Sequence, residues 1–398
     1  MGVELVLATD RCHVLEDPWR DGAISIRFTD EAASVEAIRQ ALEPRPIMGV
    51  VAVGDRPALI AALVSQAMEL SGHSPEAVRI AGNKLLTRSC LRDKKIPSPW
   101  FAALPTDTAM DDIPDEVHFP CVVKPLNMSA SRGVIRVNSL KELSVAMQRV
   151  CHMQTSPELK TLRDPLNSTI LIEEYLPGQE VAVEGVLIEG VFRKFAVFDK
   201  PDLLEGPFFE ETIYVTPSRH TERTQEGIRQ AVSDASAALG LTDGPVHAEC
   251  RIGSADIFVL EIAPRPIGGL CARALRFVGP DGETVSLENL LLRHAMGEQI
   301  SDYRREEQAS GVMMIPIPAD GLYKEVHGLA LARAVPHVED VVITARRDQR
   351  IRPLPEGDSY LGFIFARAAQ PALVESALRS ALECLEFEIE PPIPVVSS

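Results

Sequence analysis

Alternating apolar and polar stretches divide the chain into three regions, and the first runs from residue 1 to about 95. Short apolar runs such as VELVLA and IMGVVAVGD alternate there with stretches of helical spacing such as SVEAIRQAL and ALIAALVSQAMELSG. Strands that alternate with helices predict a small parallel sheet with helices on both faces. Ligands of such sheets bind beyond the carboxyl ends of the strands, so we expect Thr9-Asp10-Arg11 and Gly54-Asp55-Arg56 at a functional edge, unless they only form turns.

The second region, residues 96–300, is dominated by short strands. HFPCVVKPL, GVIRV, TILIEEYL, EVAVEGVLI and VFRKFAVF have the length and residue types of strands, whereas KELSVAMQRVCHM has helical spacing. This mixture predicts an α+β lobe in which a helix covers an antiparallel sheet. Further along, VHAEC and IFVLEIA predict a hairpin that turns around residues 253–256, and TQEGIRQAVSDASAALG and SLENLLLRHAMG predict helices.

The third region, residues 301–398, has apolar strand patterns such as GVMMIPIPADG and SYLGFIFARA, followed by the helical pattern ALVESALRSALECL. These patterns predict a small, separate β-rich lobe.

Charge and composition exclude some classes of protein. The 398 residues carry a net charge of -17, which argues against nucleic-acid binding because that function needs a basic face. A phosphate-bearing small ligand stays possible, since it needs only a few well-placed lysines. The seven cysteines show no Cys-x-x-Cys pair, and neither a signal sequence nor an apolar run of about 18 residues is found, so we expect a cytoplasmic protein without a membrane partner.

The stretch PCVVKPLNMSASRGVIRV is the first candidate for phosphate binding. Lys124 ends an apolar strand, Pro125 follows it, and Ser131 and Gly133 lie in a loop of small residues. A lysine supplies a point charge and such a loop supplies backbone N–H groups, so the pair could hold a polyphosphate. The alternative is an edge lysine beside a solvated hairpin loop.

A second candidate is ILIEEYLPGQEVAVEG, where Glu173 and Glu174 end a strand and Glu180 begins another. Backbone groups at such a crossover could bind an adenine edge, and a carboxylate nearby could accept the ribose hydroxyls. The alternative is an acidic hairpin without a ligand.

The third candidate is VHAECRIGSADIFVLEIAPRPIGGL, in which Glu249 and Glu261 lie in two apolar strands. Two carboxylates on one side of adjacent strands stay ionised only if cations lie between them, and oxygen ligands of this kind suit Mg²⁺. Arg265 is held between two prolines. The alternative is a pair of structural acids on a solvent face.

These stretches, in this order and spacing, resemble the ATP-grasp superfamily and within it the carboxylate–amine ligases similar to L-amino-acid ligases. The resemblance implies an α/β and α+β chain with an ATP-grasp fold, an N-terminal Rossmann-like lobe and a C-terminal lobe similar to that of biotin carboxylase. The implied domains are residues 1–95, 96–300 and 301–398, with residues 115–178 as a small nucleotide-covering subdomain.

The resemblance also implies the cofactors ATP and Mg²⁺. One or two Mg²⁺ ions would bind, and Mn²⁺ could replace them. ATP would be bound by Lys84, Lys124, Ser131, Gly133, Glu173, Glu174, Tyr175, Leu176 and Glu180. Of these, the two lysines would contact phosphate, Glu173 to Leu176 would surround adenine and Glu180 would bind ribose. Glu249 and Glu261 would ligate metal, and Arg265 would be catalytic.

One position departs from the family pattern Glu-x-Asn-x-Arg. The chain reads Glu261-Ile-Ala263-Pro-Arg265, so Ala263 stands where the family has an asparagine that ligates metal. A second ion would then need a water or a phosphate oxygen in place of this ligand.

The implied reaction joins a carboxylic acid to an amine through an acyl phosphate, and amino acids are the expected partners. Two alternatives stay open: a ligase similar to biotin carboxylase or to purine-pathway enzymes that uses bicarbonate, and a nucleotide-binding protein without catalysis. The amine must lose a proton, which His247, His220 or the phosphate could accept. Lys200, in the long segment from Asp199 to His220, is expected near phosphate, and a homodimer is implied by the resemblance alone.

Overall fold

The computed structural model describes residues 2–10, 22–43, 45–156, 159, 164–254 and 256–391. Two residues singled out above, Arg11 at the predicted functional edge and Ala255 in the predicted hairpin turn, lie outside the described residues.

The strands of the described residues are numbered in chain order. They are β1 (Ala8–Thr9), β2 (Ile24–Ser25), β3 (Phe101–Pro105), β4 (Cys121–Pro125), β5 (Ile135–Val137), β6 (Thr169–Glu174), β7 (Gln179–Ile188), β8 (Val191–Asp199), β9 (Ile213–Thr216), β10 (Gly244–Ile252), β11 (Ile257–Ala263), β12 (Arg276–Val278), β13 (Thr284–Ser286), β14 (Arg304–Arg305), β15 (Ala309–Ile315), β16 (Gly321–His327), β17 (Val338–Ile343), β18 (Arg350–Ile351), β19 (Gly362–Ala368) and β20 (Glu386–Glu390).

The α-helices are numbered in the same way. They are α1 (Glu31–Leu42), α2 (Asp55–Ala67), α3 (Pro75–Ala81), α4 (Lys84–Asp93), α5 (Leu140–Gln154), α6 (Glu222–Leu239), α7 (Leu287–Ala295), α8 (Leu329–Ala334) and α9 (Pro371–Glu383). None of them is both long and apolar enough to cross a bilayer.

An eight-stranded sheet forms the centre of the molecule, with strand order β11-β10-β7-β8-β9-β15-β19-β17 and antiparallel neighbours throughout. Helix α6 packs on β11 and β8, while α9 packs on β19 and β15. The apolar side chains of the two helices cover their parts of the sheet because they recur on one helix face, as Ile228, Val232 and Leu239 do in α6.

A separate four-stranded antiparallel sheet, with order β3-β6-β4-β5, lies beside the large one. Helix α5 covers one face, and Leu143, Met147 and Val150 of this helix pack against the strands. The predicted helix over an antiparallel sheet is therefore confirmed for this part of the chain.

The first region differs from its prediction in one strand. The apolar run IMGVVAVGD was expected to form a strand, but residues 46–53 adopt no regular element, and β1 and β2 make a short parallel pair without it. Ile47 and Val50 pack instead on the core of α1 and α2. Gly49 touches the end of α7, since an added Cβ would lie 2.3 Å from the carbonyl oxygen of Ala295. The run is therefore only partly covered by helices, and Met48 and Val53 stay exposed.

The large sheet crosses the domain boundary predicted at residue 300. Strands β15, β17 and β19, from the last hundred residues, pair with β9 and extend the same sheet. A predicted separate lobe thus shares its backbone hydrogen bonds with the central region, and only the small sheet β18-β16-β20 is confined to the last region.

Candidate functional site

A cavity of about 740 Å³ lies between the four-stranded and the eight-stranded sheets. Eleven of the twelve implied ligand and catalytic residues lie on its wall; they are Lys84, Lys124, Ser131, Glu173, Glu174, Tyr175, Leu176, Glu180, Glu249, Glu261 and Arg265. Gly133 is the exception, because its N–H donates to the carbonyl of Pro355 at 2.9 Å and it does not line the cavity.

Two lysines reach the cavity from different elements. Lys84 is the first residue of α4, whose start is fixed by the Asn83 side chain accepting the N–H groups of Leu85 and Leu86. Its Nζ donates to the carbonyl of Met128 at 2.6 Å, and it has no carboxylate partner among the described residues. The amino group of Lys84 therefore lies beside the loop of small residues, bound to a backbone carbonyl.

Lys124 is buried, and its ammonium pairs with Glu173. Burial lowers the pKa of Lys124 to about 8, although Glu173 opposes this shift. Glu173 also accepts from Arg88 at 2.7 Å, and these two cations lower the pKa of Glu173 against the effect of its burial. The carboxylate of Glu173 is thus held by protein cations, and its backbone is paired within the sheet between Phe101 and Val122, so the predicted adenine contact falls to residues beyond β6.

Backbone groups near Leu176 fit the predicted adenine contact. The N–H groups of Glu174 and Tyr175 donate to the carbonyls of Trp100 and Pro120. Leu176, just beyond β6, lines the cavity, and its N–H has no acceptor among the described residues.

The predicted hairpin of β10 and β11 is confirmed, and it places Glu249 directly opposite Glu261 in the strand register. Because opposite residues of an antiparallel pair project to the same face, both carboxylates face the cavity. Burial, followed by the charge of Glu211, raises the pKa of Glu249 well above its ordinary value. Glu261 has no ion-pair partner among the described residues, so one of the two facing carboxylates is not balanced by a protein cation.

A buried cluster of three carboxylates adjoins this pair. The carboxylates of Glu180, Glu211 and Glu249 lie within 4.8 Å of one another. The ammonium of Lys200 lies among them, 2.6 Å from Glu180, 3.3 Å from Glu249 and in contact with Glu211. The second oxygen of Glu180 accepts from Arg251 at 2.6 Å. We call Glu180, Glu211, Glu249 and Lys200 the lysine cluster.

The charges of the lysine cluster stabilise one another. Burial alone would lower the pKa of Lys200, but the three carboxylates outweigh it and raise that pKa well above its ordinary value. Burial likewise opposes ionisation of Glu211, but Lys200 lowers the pKa of Glu211 to about 2. Lys200 was predicted near phosphate, and the structure shows it holding carboxylates.

Arg265 contacts the first region of the chain. Its Nε and Nη2 donate to the two oxygens of Asp55 at 2.5 and 3.2 Å, while Nη1 donates to the carbonyl of Pro266 at 3.0 Å. Asp55 is the first residue of α2, at the edge where the sequence predicts functional residues. A bidentate pair of this kind fixes the plane of the guanidinium group.

Of the two candidate histidines, only His247 lines the cavity. Its Nδ1 lies 3.1 Å from Glu184, which is fully buried and also accepts the N–H of Ile267. Burial raises the pKa of Glu184, although His247 opposes this shift. His220 does not line the cavity, and its Nε2 is buried without a hydrogen-bond partner.

Sequence reasoning missed Glu211, Arg251 and Arg88. Arg251 had a detectable signal, because it follows Glu249 by two residues in the same strand and therefore shares its face. Glu211 lies in the apolar stretch FFEETIYV, where a charged residue could also have been noticed. Arg88 carried no signal, since its position in a charged helix is typical of a solvent face, yet it is fully buried against Glu173.

The last region closes the cavity over the loop of small residues. Besides the bond from Gly133 to Pro355, Arg149 pairs with Glu356 at 2.6 Å and Arg132 pairs with Asp358 at 3.2 Å. Residues 355–358 are thus fastened to helix α5 and to the loop of small residues that was predicted to bind phosphate.

Comparison with known proteins identifies this architecture. Residues 117–274 match the ATP-grasp domain, and residues 313–390 match the L-amino acid ligase C-terminal domain 2. The chain therefore contains an ATP-grasp domain, followed by an L-amino acid ligase C-terminal domain. The predicted family and the predicted ATP-grasp fold are thereby confirmed.

A solved ATP-grasp structure supports this assignment along nearly the whole chain. The L-amino acid ligase from Bacillus licheniformis is 27% identical, with a TM-score of 0.77 over 91% of this chain and 86% of that one. An uncharacterised protein of Sinorhizobium fredii is 25% identical over 81% of this chain. The D-alanine–D-alanine ligase of Aromatoleum aromaticum is 25% identical over 43% of it. This chain spans 64% and 52% of the lengths of these two curated relatives.

ATP-grasp proteins use ATP and Mg²⁺, and the cavity fits both. The opposed Glu249 and Glu261 supply the oxygen ligands that Mg²⁺ prefers, and Lys84, which has no carboxylate partner among the described residues, lies at the loop predicted to bind phosphate. Ala263 is opposite His247 in the register, on the face that carries both glutamates. An asparagine oxygen is therefore absent where the family pattern has one.

Proposed function

We propose that this protein is an ATP-dependent carboxylate–amine ligase that forms an amide bond between amino-acid substrates. The observation that carries the proposal is the single cavity in which the opposed Glu249 and Glu261 meet Lys84, Lys124 and Arg265. Acids that could hold Mg²⁺, lysines that could bind phosphate and a fixed arginine are the groups that such a reaction requires.

The proposed reaction has two steps. An oxygen of the substrate carboxylate attacks the γ-phosphorus of ATP, the bond to the bridging oxygen breaks, and ADP leaves. The amine nitrogen then attacks the acyl carbon, and phosphate leaves with the electron pair of the carbon–oxygen bond while the amine loses a proton. Mg²⁺ held by Glu249 and Glu261 would neutralise charge on the phosphate oxygens.

This chain's own residues position the reactants. Lys84 and Lys124 would bind phosphate oxygens, and the backbone at Leu176 would bind adenine. Arg265 would stabilise the oxyanion, since its guanidinium plane is fixed by Asp55 and a pre-oriented cation needs no rearrangement during the reaction. With Ala263 in the chain, a second metal ion would take a water or phosphate oxygen as its remaining ligand.

Substrate-dependent turnover of ATP tests the proposal. We expect ADP and phosphate to form only when ATP, Mg²⁺ and a suitable pair of amino acids are present, together with an equal amount of amide product measured by mass spectrometry. The variant Glu261→Ala should give none. Turnover with bicarbonate alone would favour the bicarbonate-using ligases. Tight ADP binding with no turnover for any pair would favour a nucleotide-binding protein without catalysis.

Replacing Asp55 by asparagine should slow this reaction without weakening ATP binding. The amide can accept only one of the two hydrogen bonds from Arg265 and carries no charge, so the guanidinium loses its fixed orientation. We expect kcat to fall by about 10- to 100-fold, the size of effect seen when orienting partners are lost. Steady-state kinetics and calorimetry of ADP binding would check this split, and an equal loss of nucleotide affinity would contradict it.

A further inference from the structure

One wall of the cavity is apolar and lies outside the four-stranded sheet. Its residues belong to one hydrophobic cluster or pack against it, and they come from the segment after Arg265, from β15, and from β19 and the residues just before it. They are Ile267, Leu270, Cys271, Met314, Tyr360 and Phe363, which we call the apolar wall.

The apolar wall is distinct from the surface predicted to hold adenine. The opposite wall of the cavity is formed by Val122, Val134, Tyr175 and Leu176, which belong to the four-stranded sheet or follow it. The charged residues Glu249, Glu261 and Arg265 come from the eight-stranded sheet and its following loop. A nucleotide with its base on the four-stranded sheet and its phosphates at the lysines leaves the apolar wall for another reactant.

Arg265 joins the apolar wall directly. Only Pro266 separates it from Ile267, and the chain then turns through Gly268 and Gly269. Gly269 has a φ of +60°, and an added Cβ would lie 3.1 Å from the ring of Phe363. The glycine is needed because the backbone takes a left-handed conformation against this ring. The ring of Phe363 therefore stays close to the loop that carries Arg265.

The six residues of the apolar wall carry no ionised side chain that could pair with a charged substrate. Burial raises the pKa of both Cys271 and Tyr360, so these two residues are neutral near pH 7. Glu211 is the acid that acts on both of them, and it is already paired with Lys200. A charged substrate side chain would lose its water without gaining an ion pair, which is unfavourable, whereas an apolar side chain gains from burial.

We propose that the acid activated by this protein is an amino acid with an apolar side chain, aliphatic or aromatic, and that this side chain binds the apolar wall. The proposal rests on the proposed ligase function. It assigns the wall to the acid substrate because the reacting carboxylate must lie at Arg265, next to Ile267.

The preference for the acid substrate can be measured separately with hydroxylamine. Hydroxylamine replaces the amine substrate and traps the acyl phosphate as a hydroxamate. We expect hydroxamate formation with leucine, isoleucine, methionine or phenylalanine to exceed that with aspartate, glutamate, lysine or arginine by at least about tenfold in kcat/KM. An equal or higher rate with a charged amino acid would overturn the proposal.

Leu270 allows a test by substitution, because it is only partly buried on the apolar wall and its replacement should spare the fold. Leu270→Lys would place a cation there and should shift the preference from leucine towards aspartate or glutamate by about tenfold or more. Leu270→Met should keep the wild-type preference. An unchanged preference in the lysine variant would place the acid elsewhere and contradict the proposal.

Binding distinguishes failure of this proposal from failure of the proposed function. If no acid supports turnover, calorimetry with a non-hydrolysable ATP analogue should still show leucine binding more tightly than aspartate, and weaker binding in Leu270→Lys. That result would retain the apolar site and reject the ligase. Equal binding of the two amino acids, or binding of neither, would reject the apolar site.

Discussion

Glu261→Gln is expected to lower ATP-dependent ligation by about 100- to 1000-fold. Glu261 faces the cavity opposite Glu249 and has no cation partner among the described residues, so its charge is free to bind a metal ion. Glutamine keeps the size of the side chain but removes the charge. Stabilisation by a catalytic metal ion is worth several kcal/mol, and each 1.4 kcal/mol or so corresponds to a factor of ten in rate.

Metal binding can be measured apart from catalysis in this variant. Electron paramagnetic resonance of Mn²⁺ with ADP should show weaker binding in Glu261→Gln than in the wild type. Glu210→Gln is a matched control, because Glu210 lies near the cavity without lining it and should leave both turnover and metal affinity unchanged. Full activity of Glu261→Gln would remove this residue from the proposed metal site.

Lys200→Met should destabilise the fold more than any other substitution considered above. The change leaves Glu180, Glu211 and Glu249 buried within 4.8 Å of one another without their shared ammonium. Removing one partner of a buried ion pair typically costs about 3–5 kcal/mol. Urea unfolding at pH 7 should show a loss of this size, whereas Lys194→Met, on the strand β8 that precedes Lys200 but only partly buried, should change the stability by less than about 0.5 kcal/mol.

The pH dependence of this deficit follows from the shifted pKa values. The folded protein holds the pKa of Glu211 at about 2, below its ordinary value of 4.5, so the stabilisation from this group is complete above 4.5 and is lost as the pH falls towards 2. Lys200 has a raised pKa, so its stabilisation is present below its ordinary value of 10.5 and is lost only at higher pH.

The difference in stability between wild type and Lys200→Met should therefore shrink as the pH falls from 4.5 towards 2. A second check uses divalent cations, since Mn²⁺ should stabilise the variant more than the wild type by replacing the missing charge. A variant as stable as the wild type at pH 7, or a deficit that does not change with acid, would show that Lys200 does not hold the three carboxylates.

Local patterns in the sequence were sufficient for several elements of the fold. Helical spacing predicted α5, α6, α7 and α9, and the two apolar runs with one glutamate each predicted the hairpin of β10 and β11. These predictions succeed because amphipathic helices and antiparallel hairpins repeat their buried positions at fixed short intervals. The order of the three charged stretches was enough to indicate the ATP-grasp superfamily, which the family comparisons confirm.

Apolar composition alone did not determine which element forms. The run at residues 46–53 has the pattern of a buried strand, but its neighbours are α1, α2 and the end of α7, so it is partly covered by helices and forms no strand. The same limit applies to the last region, whose strands extend the central sheet rather than forming a separate lobe. Pairing between distant strands leaves no signal in either strand by itself.

The sequence by itself determined which residue types are available for a site: lysines, paired glutamates and an arginine between prolines. Only the tertiary structure decided their partners. Arg265 meets Asp55, 210 residues away, and Glu173 meets Arg88, 85 residues away. Residue spacing determines which face of a strand or helix a side chain lies on. Ion pairs between different elements depend instead on how the sheets and helices pack. The same packing decides which charged side chains stay without a protein partner and can bind a ligand.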